Sequence, residues 1–133
     1  MAMAKKIKQL FFMVPDKAGQ LAAITAALGK AKVNITNICA YGMQGEATFM
    51  LTADSHARAK KALAPLGAEI KEYEIIEAEI SNKPGELQKV AKKLGDADIS
   101  IMYIYGTTSK SRTANVVFTT TDDAKAIKLI NKK

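Results

Sequence analysis

Asn82-Lys83-Pro84-Gly85-Glu86-Leu87 lies between a strand-like run, Tyr73 to Ile80, and a run with helical spacing, Glu86 to Leu94, so it reads as a strand-to-helix turn. Asp16-Lys17-Ala18-Gly19-Gln20-Leu21 has the same form, after the strand-like run Ile7 to Val14 and before a second helical run. The first N–H groups of a helix lack internal acceptors and carry partial positive charge, so such a turn offers a seat for an anion. Glycine at the helix start lets a ligand reach the backbone, and Asp16 or Asn82 can cap the helix or accept from a ligand ammonium. Two ordinary helix caps without a ligand are the plain alternative, and the duplication argues against it.

Outward from these turns, the order of elements repeats. Leu21, Ile24, Leu28 and Ala31 form one apolar helical stripe, Val33 to Tyr41 reads as a strand, Gly42 to Gly45 as a turn, and Glu46 to Thr52 as its hairpin partner. Asp54 or Ser55 caps a second helix with Ala59, Ala62, Leu63 and Leu66 inward, and Pro65 and Gly67 stop it. From Ile75 the series restarts: strand, Gly85 turn, a helix with Leu87, Val90 and Leu94, strands Ile99 to Tyr105 and Ala114 to Thr120, and a helix from Asp122 or Asp123 to Ile130. Gly19 matches Gly85, and Val33-Asn34-Ile35 matches Ile99-Ser100-Ile101, a period of about 66 residues. Tyr41-Gly42 matches Tyr105-Gly106 only if the register slips by about two residues.

Each repeat reads βαββαβ. The expected fold is therefore α+β, two ferredoxin-like units in tandem over residues 5–73 and 74–133, with antiparallel sheets in strand order 4-1-3-2 and helices on one face. The second unit lacks its last strand. An open edge is a liability, so another chain or the long Ala68 to Ile80 connection is expected to cover it.

Composition limits the functional classes. At 133 residues and 48% hydrophobic content the chain can bury a sizeable core, and no run approaches the roughly twenty apolar residues of a membrane span. Lys5 and Lys6 precede an apolar run too short for a signal peptide. One cysteine, Cys39, allows no intrachain disulfide, and one histidine, His56, allows no Cys/His zinc site within the chain; a reducing cytoplasm is expected. The net charge of +7 comes from lysines dispersed over polar helix faces, which favours a solvated surface over a nucleic-acid stripe. Cys39 reads as a small core hydrophobe and His56 as exposed, and neither a histidine-centred triad nor a metal cluster stands out.

The turn Asp/Asn-Lys-Pro/Ala-Gly-x-Leu at this place in a βαββαβ unit, followed by a small-residue helix and Val-Asn-Ile or an equivalent, resembles the ACT domain. Both repeats show it, with Ala18 standing where proline is usual. The resemblance implies a free-standing tandem pair with no catalytic domain, catalytic residue, metal or cofactor. It implies binding of a small ligand, commonly an amino acid, between paired units, with a homodimer and a regulated enzyme as expected partners. Carried onto this chain, Asp16, Lys17, Ala18, Gly19, Gln20 and Leu21 form one seat, and Asn82, Lys83, Pro84, Gly85, Glu86 and Leu87 the other. Second-strand contacts are expected from Asn34, Asn37 and Ile38, and from Ser100, Met102 and Tyr103. The competing reading is a basic ferredoxin-like RNA binder, which needs aromatics such as Phe11, Phe12, Phe49 and Phe118 on the open sheet face.

Overall fold

The structure, a computed structural model, describes residues 2–108 and 110–132. Its elements are β1 (Met3–Pro15), α1 (Gln20–Lys30), β2 (Ile35–Met43), β3 (Glu46–Ala53), α2 (His56–Leu63), β4 (Lys71–Ser81), α3 (Glu86–Asp96), β5 (Ile101–Thr107), β6 (Thr113–Thr120) and α4 (Asp123–Asn131), with a 3-10 turn at Ala64–Leu66. No described helix is long and apolar enough to cross a membrane. The chain forms two compact units, one of Lys8–Tyr73 and one of Met1–Ile7 with Glu74–Lys133.

In the Lys8–Tyr73 unit, β3 lies between β2 and β1, antiparallel to both. Residues alternate across the sheet, so Leu10, Phe12 and Val14 of β1 share a face with Leu51, Phe49 and Ala47 of β3. That face meets Ile24 and Leu28 of α1 and Ala59 and Leu63 of α2. Phe12 and Phe49 stack at 5.2 Å; burying one such ring stabilises the unit by about 1.5–3 kcal/mol. Ser55 caps α2, its hydroxyl accepting from the Arg58 N–H at 3.2 Å. Leu66, expected to face inward, is exposed because the helix tightens into the 3-10 turn around Pro65 and rotates it out.

The β2–β3 turn is shorter than expected. Gln44 (φ 53°) and Gly45 (φ 82°) make a two-residue connection, and Gly42 and Met43 continue the strand, because two left-handed residues match the twist of a tight hairpin. Both second strands carry an irregularity at the corresponding place, between Ile35 and Asn37 and between Ile101 and Tyr103. The two repeats therefore stay in step along these strands. Asn37 corresponds to Tyr103, and the Tyr41-Gly42 likeness to Tyr105-Gly106 is one of sequence alone. Cys39 lies opposite Met50 on the face away from the helices, rather than in the core.

The second unit has strand order β1-β4-β6-β5, the 4-1-3-2 arrangement, with residues 3–7 of β1 in the fourth position. The strand that the repeat lacks at its end comes from the front of the chain, so neither a second chain nor the Ala68 to Ile80 connection covers that edge. Ala4 is buried in the core with Ile76, Ala78, Val90, Leu94 and Phe118, and Lys5 lies 3.6 Å from the Glu77 carboxylate. The side-chain amide of Asn131, the last residue of α4, clamps this strand like a neighbouring backbone: Oδ1 accepts from the Ala4 N–H at 2.7 Å and Nδ2 donates to the Ala4 carbonyl at 2.9 Å. Asp122 caps α4 through the Lys125 N–H.

His56, expected to be exposed, is half-buried and locked. Its Nε2 accepts from the Ala53 N–H at 3.2 Å, leaving Nδ1 to donate to Glu72 at 2.7 Å, and the other oxygen of Glu72 accepts from Lys60 at 2.8 Å. The hydrogen bond from Lys60, then that from His56, holds the Glu72 carboxyl below the usual glutamate range. A depressed carboxyl contributes stability that is complete above its unfolded pKa and is lost as pH falls through the folded one. Glu72→Gln should thus flatten the acid side of the stability profile below about pH 4.5 while lowering stability at neutral pH, as read by urea unfolding over a pH series. Asn131→Ala removes two backbone partners and should cost about 1–2 kcal/mol; amide exchange should accelerate at residues 3–7 and leave β3 protected.

Candidate functional site

Gly85 (φ 85°) and Gly19 (φ 90°) sit at the starts of α3 and α1, each in the left-handed region and each without a side-chain cap. A residue with a Cβ is strained there, and the reversal it permits turns the strand into the helix within a few residues. Glu86 N–H closes on the Lys83 carbonyl and Gln20 N–H on the Lys17 carbonyl, both at 3.4 Å, so the turns are copies of one another. By position, the N–H groups of Leu87 and Gln88, and of Leu21 and Ala22, have no acceptor within their helices.

Asp16 and Asn82 do not cap these helices. The Asn82 N–H donates to the Arg112 carbonyl at 2.8 Å and its side-chain amide to the Ser111 carbonyl at 3.0 Å, tying the turn to the β5–β6 connection. Asp16 N–H donates to the Gly45 carbonyl at 3.0 Å, and its carboxylate lies so close over Gly42 that a Cβ there would overlap it. Gln20 is held by its own side chain, which donates to the Pro15 carbonyl at 2.7 Å.

In front of the α3 start is a groove of about 630 Å³, within the range of small-molecule sites. Asn82, Lys83, Gly85, Leu87 and Gln88 line it from the turn, Ile104 to Thr108 from β5 and its following residues, and Ala114, Asn115 and Val116 from β6. Lys83 is the charged group among these residues. Glu86 faces elsewhere. It pairs with Lys89 at 2.8 Å, which holds its carboxyl below the usual range, and it lines a separate groove of about 320 Å³ beside Val90 and Ile130.

Of the expected second-strand residues, Ile38 is best placed. It pairs with Leu51, faces the helix side and corresponds to Ile104; both are about two-fifths exposed, as are Leu87 and, slightly more, Leu21. Asn34 and Ser100 lie before the far ends of β2 and β5, where Asp54 and Thr121 tie them down; Asn34 is roughly 25 Å along the strand from Gly42. Asn37 donates to Thr52 on the face away from the helices, and Tyr103 pairs with Thr119 on the corresponding face. Met102 sits at the strand irregularity, two-thirds exposed. Tyr105, which the sequence offers with Tyr41 and Tyr103 as a pocket-lining ring, does line the groove; its neighbours Ile104 and Gly106 to Thr108, and Ala114 to Val116, were not foreseen.

Three glycines give a ranked test of this geometry. A Cβ at Gly106 would meet the Asn115 carbonyl oxygen at 2.8 Å and Val116 Cγ1 at 2.7 Å, where the backbone cannot yield cheaply. Gly106→Ala should destabilise most, Gly85→Ala by about 1–2 kcal/mol through its positive φ, and Gly42→Ala least, since the Asp16 carboxylate can swing away. Urea midpoints would check the order.

Neither a family model nor a curated protein sequence matches this chain. Solved structures do. Protein BT0572 from Bacteroides thetaiotaomicron superposes with a TM-score of 0.86 at 25% identity, covering 95% of this chain and 87% of that one. The ligand-free regulatory subunit of aspartate kinase from Thermus thermophilus gives 0.67 at 19% identity, covering 96% and 93%, and that from Thermus flavus 0.65 at 18%, covering 96% and 94%. The chain thus shares its fold, two ACT-type units in tandem, with the regulatory subunits of aspartate kinase.

Proposed function

We propose that this protein is a non-enzymatic regulatory module that binds a small molecule, an amino acid, at the start of α3. The observation that carries the reading is the open groove in front of that helix: amide donors and Lys83 of the turn for a carboxylate, with strand carbonyls opposite for an ammonium. The fold shared with regulatory subunits supports a role exerted by contact with an enzyme, in the cytoplasm that a lone cysteine suits. Ligand held where two copies of the chain pair would favour the assembled state in proportion to its preference for it.

The RNA reading keeps one of its four aromatics. Phe12, Phe49 and Phe118 are buried in the helix-facing cores, while Phe11, opposite Met50, lies on the other face edge-on to Tyr73 at 6.0 Å, and Met50 and Val117 on that face are themselves buried.

A melting-temperature screen against the twenty amino acids tests the proposal. A ligand at about 100 times its Kd adds about 2.7 kcal/mol, a rise of roughly 5–10 °C. Gly85→Asp, which puts a carboxylate where the ligand's own would sit, should abolish the response. A flat screen at millimolar concentrations would remove the proposal's support.

A further inference from the structure

The groove of about 320 Å³ that Glu86 lines is built between α3, the end of α4, the end of β4 and the first residues of β1. Ala2, Ile80, Val90 and Ile130 make its walls apolar, and Val90 and Ile130 belong to the core beneath it. Its charges are the ammonium groups of Lys89, Lys93 and Lys132 against the single carboxylate of Glu86, which Lys89 takes up at 2.8 Å. Lys93 is fixed by the end of α4: its ammonium donates to the Lys132 carbonyl at 3.1 Å and to the Ile130 carbonyl at 3.5 Å, and among the described residues no carboxylate pairs with it. Carbonyls at a helix end carry only about half an elementary charge, so they orient this ammonium without cancelling it. The groove is thus apolar within and positive at its rim.

The fold itself does not require these charges. With Gly19 matched to Gly85, the first unit carries Gln20, Ala23 and Ala27 where the second carries Glu86, Lys89 and Lys93, and its helix α1 packs on its sheet without them. There, Ala68 and Ile70 also pack against the core.

We infer that this second groove binds an aliphatic monocarboxylate, its tail along Val90 and Ile130 and its carboxylate on the Lys89 and Lys93 ammonium groups. The tail gains by leaving water, and a carboxylate, which only accepts, matches ammonium groups, which only donate. A ligand ammonium would instead meet three like charges. The inference does not rest on the amino-acid reading, which concerns the groove in front of α3, although Ile80 and Ser81 line both.

Octanoate, 1-octanol and octylammonium share a tail and differ in the head. Titrated into the full chain, with the Val90 and Ile130 amide resonances as reporters, octanoate should bind saturably and about three- to tenfold more tightly than 1-octanol, while octylammonium leaves both signals unmoved. Hexanoate should bind about tenfold more weakly than octanoate, for two fewer buried methylenes. Lys89→Ala with Lys93→Ala, the residues of the first unit, should lower the affinity for octanoate to that for 1-octanol and leave 1-octanol as it was. Glu86→Gln should tighten octanoate about two- to fivefold.

The inference is overturned if octanoate leaves Val90 and Ile130 unmoved at millimolar concentration, if 1-octanol binds as tightly, if octylammonium binds there, or if the double variant keeps its affinity for octanoate. A double variant that loses 1-octanol as well has lost the groove, and Glu86→Gln then decides: tightening supports the carboxylate site, and its absence overturns it. Octanoate and the amino-acid screen report on separate grooves, so either reading can fail alone.

Discussion

A glycine in the left-handed region, between the strand and the helix, is the constraint on which both units depend. It places the helix start a few residues after the strand, with first helical amides that have no acceptor within the helix and no side-chain cap. The same reversal aligns each helix with its sheet, letting Ile24 and Leu28, or Val90 and Leu94, meet the strands below. Packing and the exposed helix start are thus consequences of a single backbone turn, and a residue with a Cβ would strain both.

Duplication has made copies with different side-chain solutions. In both turns the backbone bonds agree down to their 3.4 Å closures, yet the residue just after the strand is acid in one and amide in the other. The Asp16 carboxylate fits over Gly42 because no Cβ stands there, whereas Asn82 donates to the carbonyl groups of Ser111 and Arg112.

The completion of the second sheet follows a similar economy. Residues 3–7 serve a unit whose other members begin some seventy residues later, and Asn131 fastens them by imitating a strand's hydrogen bonds. β1 and β4 are long, 13 and 11 residues, because each contributes a different stretch to each unit. A strand of such length is itself a sign that it serves more than one sheet position.

The repeat, the element order, the Gly19 and Gly85 turns and the inner part of the helix stripes, Ile24 with Leu28 and Val90 with Leu94, were legible from residues alone, because they follow from local preferences: glycine for positive φ, Ser55 and Asp122 for capping, and apolar periods of 3.6 and 2; Leu21 and Leu87, which the same period places in the stripes, are exposed. The fourth strand of the second unit was not legible, since the pairing of residues 3–7 with β4 joins segments far apart in the chain, and nothing local marks a partner. The site divided along the same line. Its turn half was visible as a motif, but its strand half, Ile104 to Thr108, depended on a bulge near Met102 that only the pairing with β6 reveals. Backbone preference is written residue by residue; register and the company a strand keeps are settled by the sheet as a whole.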